Sequence, residues 1–190
     1  MWYLNEIVEE RWAWTKIFSE EECKNIIDIC LSKKQVIPAV IENPDNDPNK
    51  KYRNSDVYWL QEKSPEDVWI YQKCTAAVHS MNNTYFNYDL TAMEDLQFTI
   101  YNEGQFYKKH IDTLYKSHVL RKLSFTIQLS DPSEYEGGDV LAYFGEQPET
   151  LKKDIGVMSL FPSNSLHEVK PITRGTRYSL VGWCTGPRFK

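Results

Sequence analysis

Beyond Leu96 the chain breaks into short β-forming runs set apart by turn-forming clusters, and this narrows its possible folds more than any other feature. LQFTIY, FYKKHID, KLSFTIQLS, DVLAYF, GVMSLF, SLHEVK and RYSLVGW follow in succession, with Gly, Pro, Asp and Ser clusters between them. β-Branched and aromatic residues dominate these runs, and none is long enough for a stable helix. The pattern predicts an all-β sandwich or barrel. The N-terminal half reads differently. FSEEECKNIIDICLSKK opens on Ser19 with Glu22 three residues on, a capping-box pairing, and Ile26, Ile27 and Cys30 recur at helical spacing. Ser64-Pro65-Glu66-Asp67 repeats that grammar and predicts a second helix running to about Asn82. Between the two, Ile41 to Lys51 is a polar, proline-bearing loop long enough to act as a lid, and YRNSDVYWL reads as a strand. The expected organisation is one domain over 1–190. Residues 1–90 would supply a helical buttress and substrate-side elements, and residues 91–190 the β core.

Composition excludes several classes. The net charge is −5, with 22 basic against 27 acidic residues, so bulk electrostatics give no reason to expect a nucleic-acid partner. No apolar run approaches the roughly 18 residues of a membrane span, and the acidic N-terminus does not read as a signal peptide. Cys23, Cys30, Cys74 and Cys184 form no C-x-x-C pair, which argues against both a zinc knuckle and a disulfide framework. Reduced, buried thiols in a cytoplasmic protein are expected.

His110-Ile111-Asp112 is the first chemical signal. On an extended chain its two polar side chains point to one side, because strand side chains alternate. They are either a solvated surface pair or the first two ligands of a metal. His167, in SLHEVK, is the candidate third ligand. Two imidazoles and one carboxylate on a common point form the facial triad of non-haem iron(II) oxygenases, which leaves the opposite coordination positions open. Arg177 follows His167 by ten residues, across a turn marked by Pro171 and Gly175. Its permanently charged fork suits a dicarboxylate. A metal triad beside a dicarboxylate anchor is what a 2-oxoglutarate-dependent oxygenase needs.

From about Leu96 to Trp183 the sequence resembles the prolyl 4-hydroxylase-like branch of the 2-oxoglutarate/iron(II) oxygenases, including PKHD-type hydroxylases. The likeness rests on Y-x-x-G-x-x-Y-x-x-H-x-D (Tyr101 to Asp112), LSFTIQLSDPSEYEGGDV, GVMSLFPSNSLHEV and T-R-G-T-R-Y-S-L-x-x-W. It implies a double-stranded β-helix (a jelly roll, or cupin-like barrel), mainly β with N-terminal helices. It implies iron(II) held by His110, Asp112 and His167, with 2-oxoglutarate and O2 as cosubstrates and ascorbate as an auxiliary reductant. Arg177 would bind the distal carboxylate of 2-oxoglutarate, where collagen-type relatives use lysine, and Tyr101 would hydrogen-bond the cosubstrate. The family often has a hydroxyl residue four positions after its basic anchor. Val181 stands there in this chain, so Ser179 or Gln128 would assist Arg177, with Thr126 beside Gln128 on one face.

Tyr107 and Trp183 match aromatics on the substrate side, and Arg53, Tyr58 and Trp59 would line the same groove. Lys108, Lys109, Arg121 and Lys122 read as an exposed basic rim suited to an acidic substrate. The reaction implied is hydroxylation of an unactivated C–H bond, since halogenating relatives lack the carboxylate that Asp112 supplies. The expected substrate is a prolyl residue in a peptide or protein. The alternatives are a small molecule, such as a free amino acid or siderophore, and a cupin-like module that holds metal without turnover. No nucleic-acid or membrane partner is expected, and the sequence leaves the oligomeric state open.

Overall fold

The computed structural model describes residues 11–33, 35–40, 50–113 and 119–188. Residues 41–49 of the expected lid, and His118, lie outside them. Each β-type run read from the C-terminal half is a strand: β6 (Gln97–Tyr101), β7 (Phe106–His110), β8 (Val119–Gln128), β10 (Val140–Tyr143), β12 (Val157–Pro162), β13 (Leu166–Val169) and β15 (Arg177–Pro187). Shorter strands fill the order: β1 (Ala13–Lys16), β2 (Ile37–Pro38), β3 (Arg53–Asn54), β4 (Asp56–Trp59), β5 (Ala92–Met93), β9 (Glu136–Gly137), β11 (Glu149–Thr150) and β14 (Ile172–Arg174). A large sheet runs β1-β12-β8-β15-β6-β4-β2, with β5 also paired to β15, and a smaller one runs β11-β10-β13-β7-β3. The pairings are antiparallel, and the architecture is a jelly roll.

The large sheet has two buried faces of opposite character. On β6, Gln97, Thr99 and Tyr101 alternate with Phe98 and Ile100; on β15, Arg177, Ser179, Val181 and Trp183 alternate with Tyr178, Leu180, Gly182 and Cys184. Phe98, Ile100, Leu180 and Cys184 join Phe125, Ile127, Met158 and Leu160 in a core that also takes in Ile26, Cys30, Ile70 and Cys74 from the helices. The polar set faces the cavity between the sheets. Period-two alternation therefore makes one sheet both a hydrophobic wall for the helices and a polar wall for the site. Gly182 fits because a Cβ there would be driven into the Phe125 ring and Leu96.

The first helix, α1 (Glu20–Ser32), starts as its sequence dictates. Ser19 Oγ accepts from Glu22 N, and Glu22 Oε2 accepts from Ser19 N. The second, α2 (Val68–Met81), starts later than Pro65 suggests. Ser64 to Asp67 forms a turn instead, in which Ser64 O accepts from Asp67 N and Val68 N, while Asp67 Oδ2 accepts from Gln61 N. Asp67 thus spends its side chain on the loop rather than on the helix it precedes. YRNSDVYWL is not one strand. It breaks at buried Ser55, so that β3 joins the small sheet beside β7 and β4 joins the large sheet beside β6. That switch brings Arg53 and Trp59 to the same cavity from opposite walls. No helix among the described residues is long and apolar enough to cross a membrane.

Candidate metal centre

The β7–β13 ladder sets His110 opposite His167, and Asp112 follows two residues after β7. The backbone N–H groups of Asp112 and Thr113 both donate to Ser163 O, at 2.9 and 3.1 Å, which pins this segment to the turn between β12 and β13. His110 Nε2 then lies 3.6 Å from Asp112 Oδ1, and His167 Nε2 lies 3.5 Å from Asp112 Oδ2. One ligand atom from each residue falls within 4.8 Å of the other two.

The hydrogen bonds behind this trio decide what it suits. His110 Nδ1 lies 2.7 Å from Lys108 O, and His167 Nδ1 lies 2.9 Å from Ser165 O. A carbonyl can only accept, so each Nδ1 carries a proton and, in the neutral ring, each Nε2 presents a lone pair to the centre. Burial, and then the neighbouring His167, lower His110 to about 4 against the pull of Asp112, so its ring is neutral at pH 7. Burial pushes the Asp112 carboxyl up, but His167, His110, Ser124 and Trp183 together hold it below its ordinary value. Where the rings are neutral, two lone pairs and a carboxylate converge on one point. Such a trio repels itself and is stabilised by a cation. Two imidazoles and one carboxylate fit a first-row divalent metal, and they occupy one side of it.

Aromatic packing fixes the rings. Tyr107 stacks on His110 with centroids 3.5 Å apart and planes 13° from parallel, and Phe161 meets His167 edge-on at 4.9 Å. Trp183 Nε1 is buried, and its N–H helps to hold the Asp112 carboxyl below its ordinary value. The cavity in front of these residues measures about 550 Å³.

Arg177 stands on the polar face of β15, only 3% exposed. Its Nε donates to Gln128 Oε1 at 3.0 Å, its Nη1 reaches Ser179 Oγ at 3.4 Å, and its Cζ lies 5.6 Å from the Tyr101 ring centroid. No carboxylate pairs with it among the described residues. A buried guanidinium held only by neutral partners is poised for an anion, because its desolvation is otherwise uncompensated. Burial raises the Tyr101 phenol above its ordinary value, against Arg53 and Arg177, so it stays a neutral hydrogen-bonding group.

Of the residues expected at the site, His110, Asp112, His167, Arg177, Tyr101, Ser179, Tyr107, Trp183 and Arg53 all line this cavity. Gln128 reaches it only through Arg177. Arg53 is buried, donates to Gln97 Oε1 at 2.6 Å and Ser55 Oγ at 3.1 Å, and covers the Tyr107 ring at 4.7 Å. The basic rim needs correction. Lys108 and Lys109 are exposed, but Lys122 is buried, and Arg121 is bound at 2.8 and 2.5 Å to the Glu94 carboxylate. Gln97 and Thr99 were missed, although their two-residue spacing before Tyr101 signals a shared face.

Residues 96–185 match the model of the 2OG-Fe(II) oxygenase superfamily. A PKHD-type hydroxylase of Prochlorococcus marinus is 42% identical over 86 residues, which is 45% of this chain and 39% of that protein. The chain spans about two fifths of the length of the curated relatives it matches. Two solved structures share the fold at low identity. A Pseudomonas putida prolyl-4-hydroxylase superposes with a TM-score of 0.74 at 19% identity, covering 94% of each chain. A Trichoplax adhaerens prolyl hydroxylase, in complex with a hypoxia inducible factor peptide fragment, gives 0.72 at 18%, covering 92% of this chain and 83% of that one. The part of the chain that matches the 2OG-Fe(II) oxygenase superfamily, residues 96–185, is the part that carries His110, Asp112, His167 and Arg177.

Proposed function

We propose that this chain is a 2-oxoglutarate- and iron(II)-dependent hydroxylase whose substrate is a prolyl residue in a peptide or protein. One observation carries the reading. A trio of candidate metal ligands and a buried guanidinium that meets no carboxylate among the described residues face the same cavity. The first calls for a cation and the second for an anion. A metal-chelating dicarboxylate meets both demands at once.

In this reading His110, Asp112 and His167 hold iron(II), and Arg177 receives the distal carboxylate of 2-oxoglutarate. The bound pair would supply oxidative decarboxylation of 2-oxoglutarate to succinate and CO2, with one oxygen atom of O2 entering a substrate C–H bond. The chain's own residues bind, orient and exclude water. Gln128 and Ser179 fix the plane of the Arg177 fork, and Tyr101 offers a neutral hydroxyl beside it. Lys108 O and Ser165 O keep the two imidazoles in the tautomer that binds metal. Val140, Phe161 and Val169 make the surrounding wall apolar, which strengthens the charge pairing within.

A peptide is favoured over a small molecule by the mouth of the cavity. Tyr52 and Trp59 are exposed there, and Trp59 lies 6.0 Å from Trp183. Aromatic walls open to solvent suit an extended proline-containing segment, whose preformed conformation costs little entropy to bind. The test is O2-dependent release of succinate by the iron-loaded protein, run with a panel of proline peptides and mass spectrometry of the products. Succinate together with a one-oxygen mass gain on a peptide is expected. No succinate under any condition would leave a metal-binding module without turnover.

A further inference from the structure

The cavity reverses the charge of the chain. The protein carries a net −5. Yet the cavity is lined by Arg53, Lys108, Lys109, Arg121 and Arg177 against the single carboxylate of Asp112. Most of these charges are already committed. Asp112 belongs to the metal trio and Arg177 to the cosubstrate, Arg121 is bound to Glu94, and Arg53 donates to Ser55 and Gln97. Lys108 and Lys109 remain.

Both are exposed and consecutive on β7, just before His110. Lys108 Nζ lies 5.5 Å from the Tyr52 ring and 6.0 Å from that of Phe106, and Lys109 Nζ lies 4.1 Å from the Tyr143 ring. Neither makes an ion pair among the described residues. Several lysines elsewhere on the surface do: Lys33 with Glu66, Lys73 with Glu22, Lys153 with Asp139 and Lys170 with Glu168. In an acidic chain, two adjacent lysines that meet no carboxylate among the described residues, held over rings at a cavity mouth, form a local positive field open to a ligand.

The apolar surface around them argues for an extended ligand. Val40, Tyr52, Trp59 and Ile111 are exposed, and all four line this cavity. A small acid inside the cavity would leave that rim uncovered, whereas a chain segment running across it would not.

We infer that the substrate is an acidic extended peptide segment, with the target residue in the cavity and flanking carboxylates on Lys108 and Lys109. Its apolar side chains cover Tyr52, Trp59 and Ile111. This rests on the hydroxylase reading above and adds a substrate class to it.

The test uses the full chain loaded with manganese(II) and 2-oxoglutarate, and three fluorescent peptides that share a central proline. Their flanks are Asp and Glu, Asn and Gln, or Lys. Fluorescence anisotropy should show the acidic peptide binding about tenfold tighter than the neutral one at low salt, as expected for two solvent-exposed charge contacts. The lysine peptide should bind weakest, and the acidic preference should shrink as salt rises. K108Q/K109Q should flatten the order and K108E/K109E should invert it. Equal binding of acidic and neutral peptides, an acidic preference that survives charge reversal, or no peptide binding at all overturns the inference. Mass spectrometry of the same peptides, after incubation with the iron(II)-loaded chain, 2-oxoglutarate and O2, separates it from the parent reading. A charge-ordered series without oxygen gain supports the surface and sinks the hydroxylase assignment. Oxygen gain without charge order does the reverse.

Discussion

His110 and His167 are cross-strand partners on β7 and β13, their ring centroids 4.2 Å apart, and each has its Nδ1 tied to a backbone carbonyl two residues upstream. The two imidazoles are thus the same device used twice: a backbone carbonyl two residues before each ring holds Nδ1 and leaves Nε2 for the centre. Lys108 O and Ser165 O are main-chain atoms, so no side-chain substitution at either position removes the constraint. The Asp112 carboxylate, a side-chain ligand, is a member of the trio that one substitution removes.

Arg177→Ala should chiefly raise the requirement for 2-oxoglutarate. Losing one partner of a buried charge-assisted pair costs about 2–5 kcal/mol, roughly thirty- to several-thousand-fold in affinity. Arg177→Lys should recover part of this, although a point charge cannot match the fork. Calorimetric titration with 2-oxoglutarate in the presence of manganese(II) measures both. Unchanged affinity in the two variants would remove Arg177 as the anchor.

Gln128→Leu deletes the acceptor of the Arg177 Nε–H without touching the cavity. The freed guanidinium loses one of its two side-chain hydrogen bonds, worth about 1.5–3 kcal/mol where the donor is charged. Weakened 2-oxoglutarate binding with manganese affinity retained is expected. A loss confined to metal binding would show that Gln128 acts elsewhere.

The polar face of the large sheet shows how much the sequence discloses. Strand positions in the C-terminal half were legible because alternation, Gly-Gly and Pro-Ser punctuation all agree there. The metal trio was legible from its H-x-D spacing and the tail after His167. The break at Ser55 was not, because alternation reads the same through a strand that changes sheets. Gln97 and Thr99 were legible but passed over, since a Gln in a β run reads as solvent-facing until its strand proves central. Lys122 misled for a similar reason: next to Arg121 it reads as a surface pair, yet alternation turns one of the two inward.

Gly182→Ala should destabilise the fold by overpacking the core side of the large sheet. The added methyl meets the Phe125 ring and Leu96 on the helix side of β15. Overpacking of this kind costs about 1–3 kcal/mol, roughly 2–12 °C in Tm for a chain of this size. Thermal unfolding followed by circular dichroism checks it; an unchanged Tm would mean the core at Phe125 yields freely.

The buried cysteines set an alkaline limit on stability. Burial pushes the Cys23 thiol up to about 11 and Cys184 to about 12, and raises Cys30 and Cys74 as well. A free thiol titrates near 8.5, so below that value all four are neutral in both states and carry no penalty. Above it the unfolded chain loses protons that the native chain keeps, and stability falls by up to about 1.4 kcal/mol per pH unit for each thiol until its folded value is reached. Denaturant titrations should therefore show stability declining from about pH 9 upward. Thiol reagents at pH 8 should leave the native protein unmodified. Rapid labelling of a folded protein would contradict the burial.

If one cavity holds a metal and a dicarboxylate together, 2-oxoglutarate binding must depend on the metal. Calorimetry of the wild-type chain should show 2-oxoglutarate binding with manganese(II) present and little binding without it. The folded Asp112→Ala variant should lose manganese affinity by about 100-fold or more, as expected for removing the charged ligand, and lose metal-dependent 2-oxoglutarate binding with it. Equal 2-oxoglutarate affinity with and without metal, or an Asp112→Ala protein that still couples the two, would contradict the assignment of His110, Asp112 and His167.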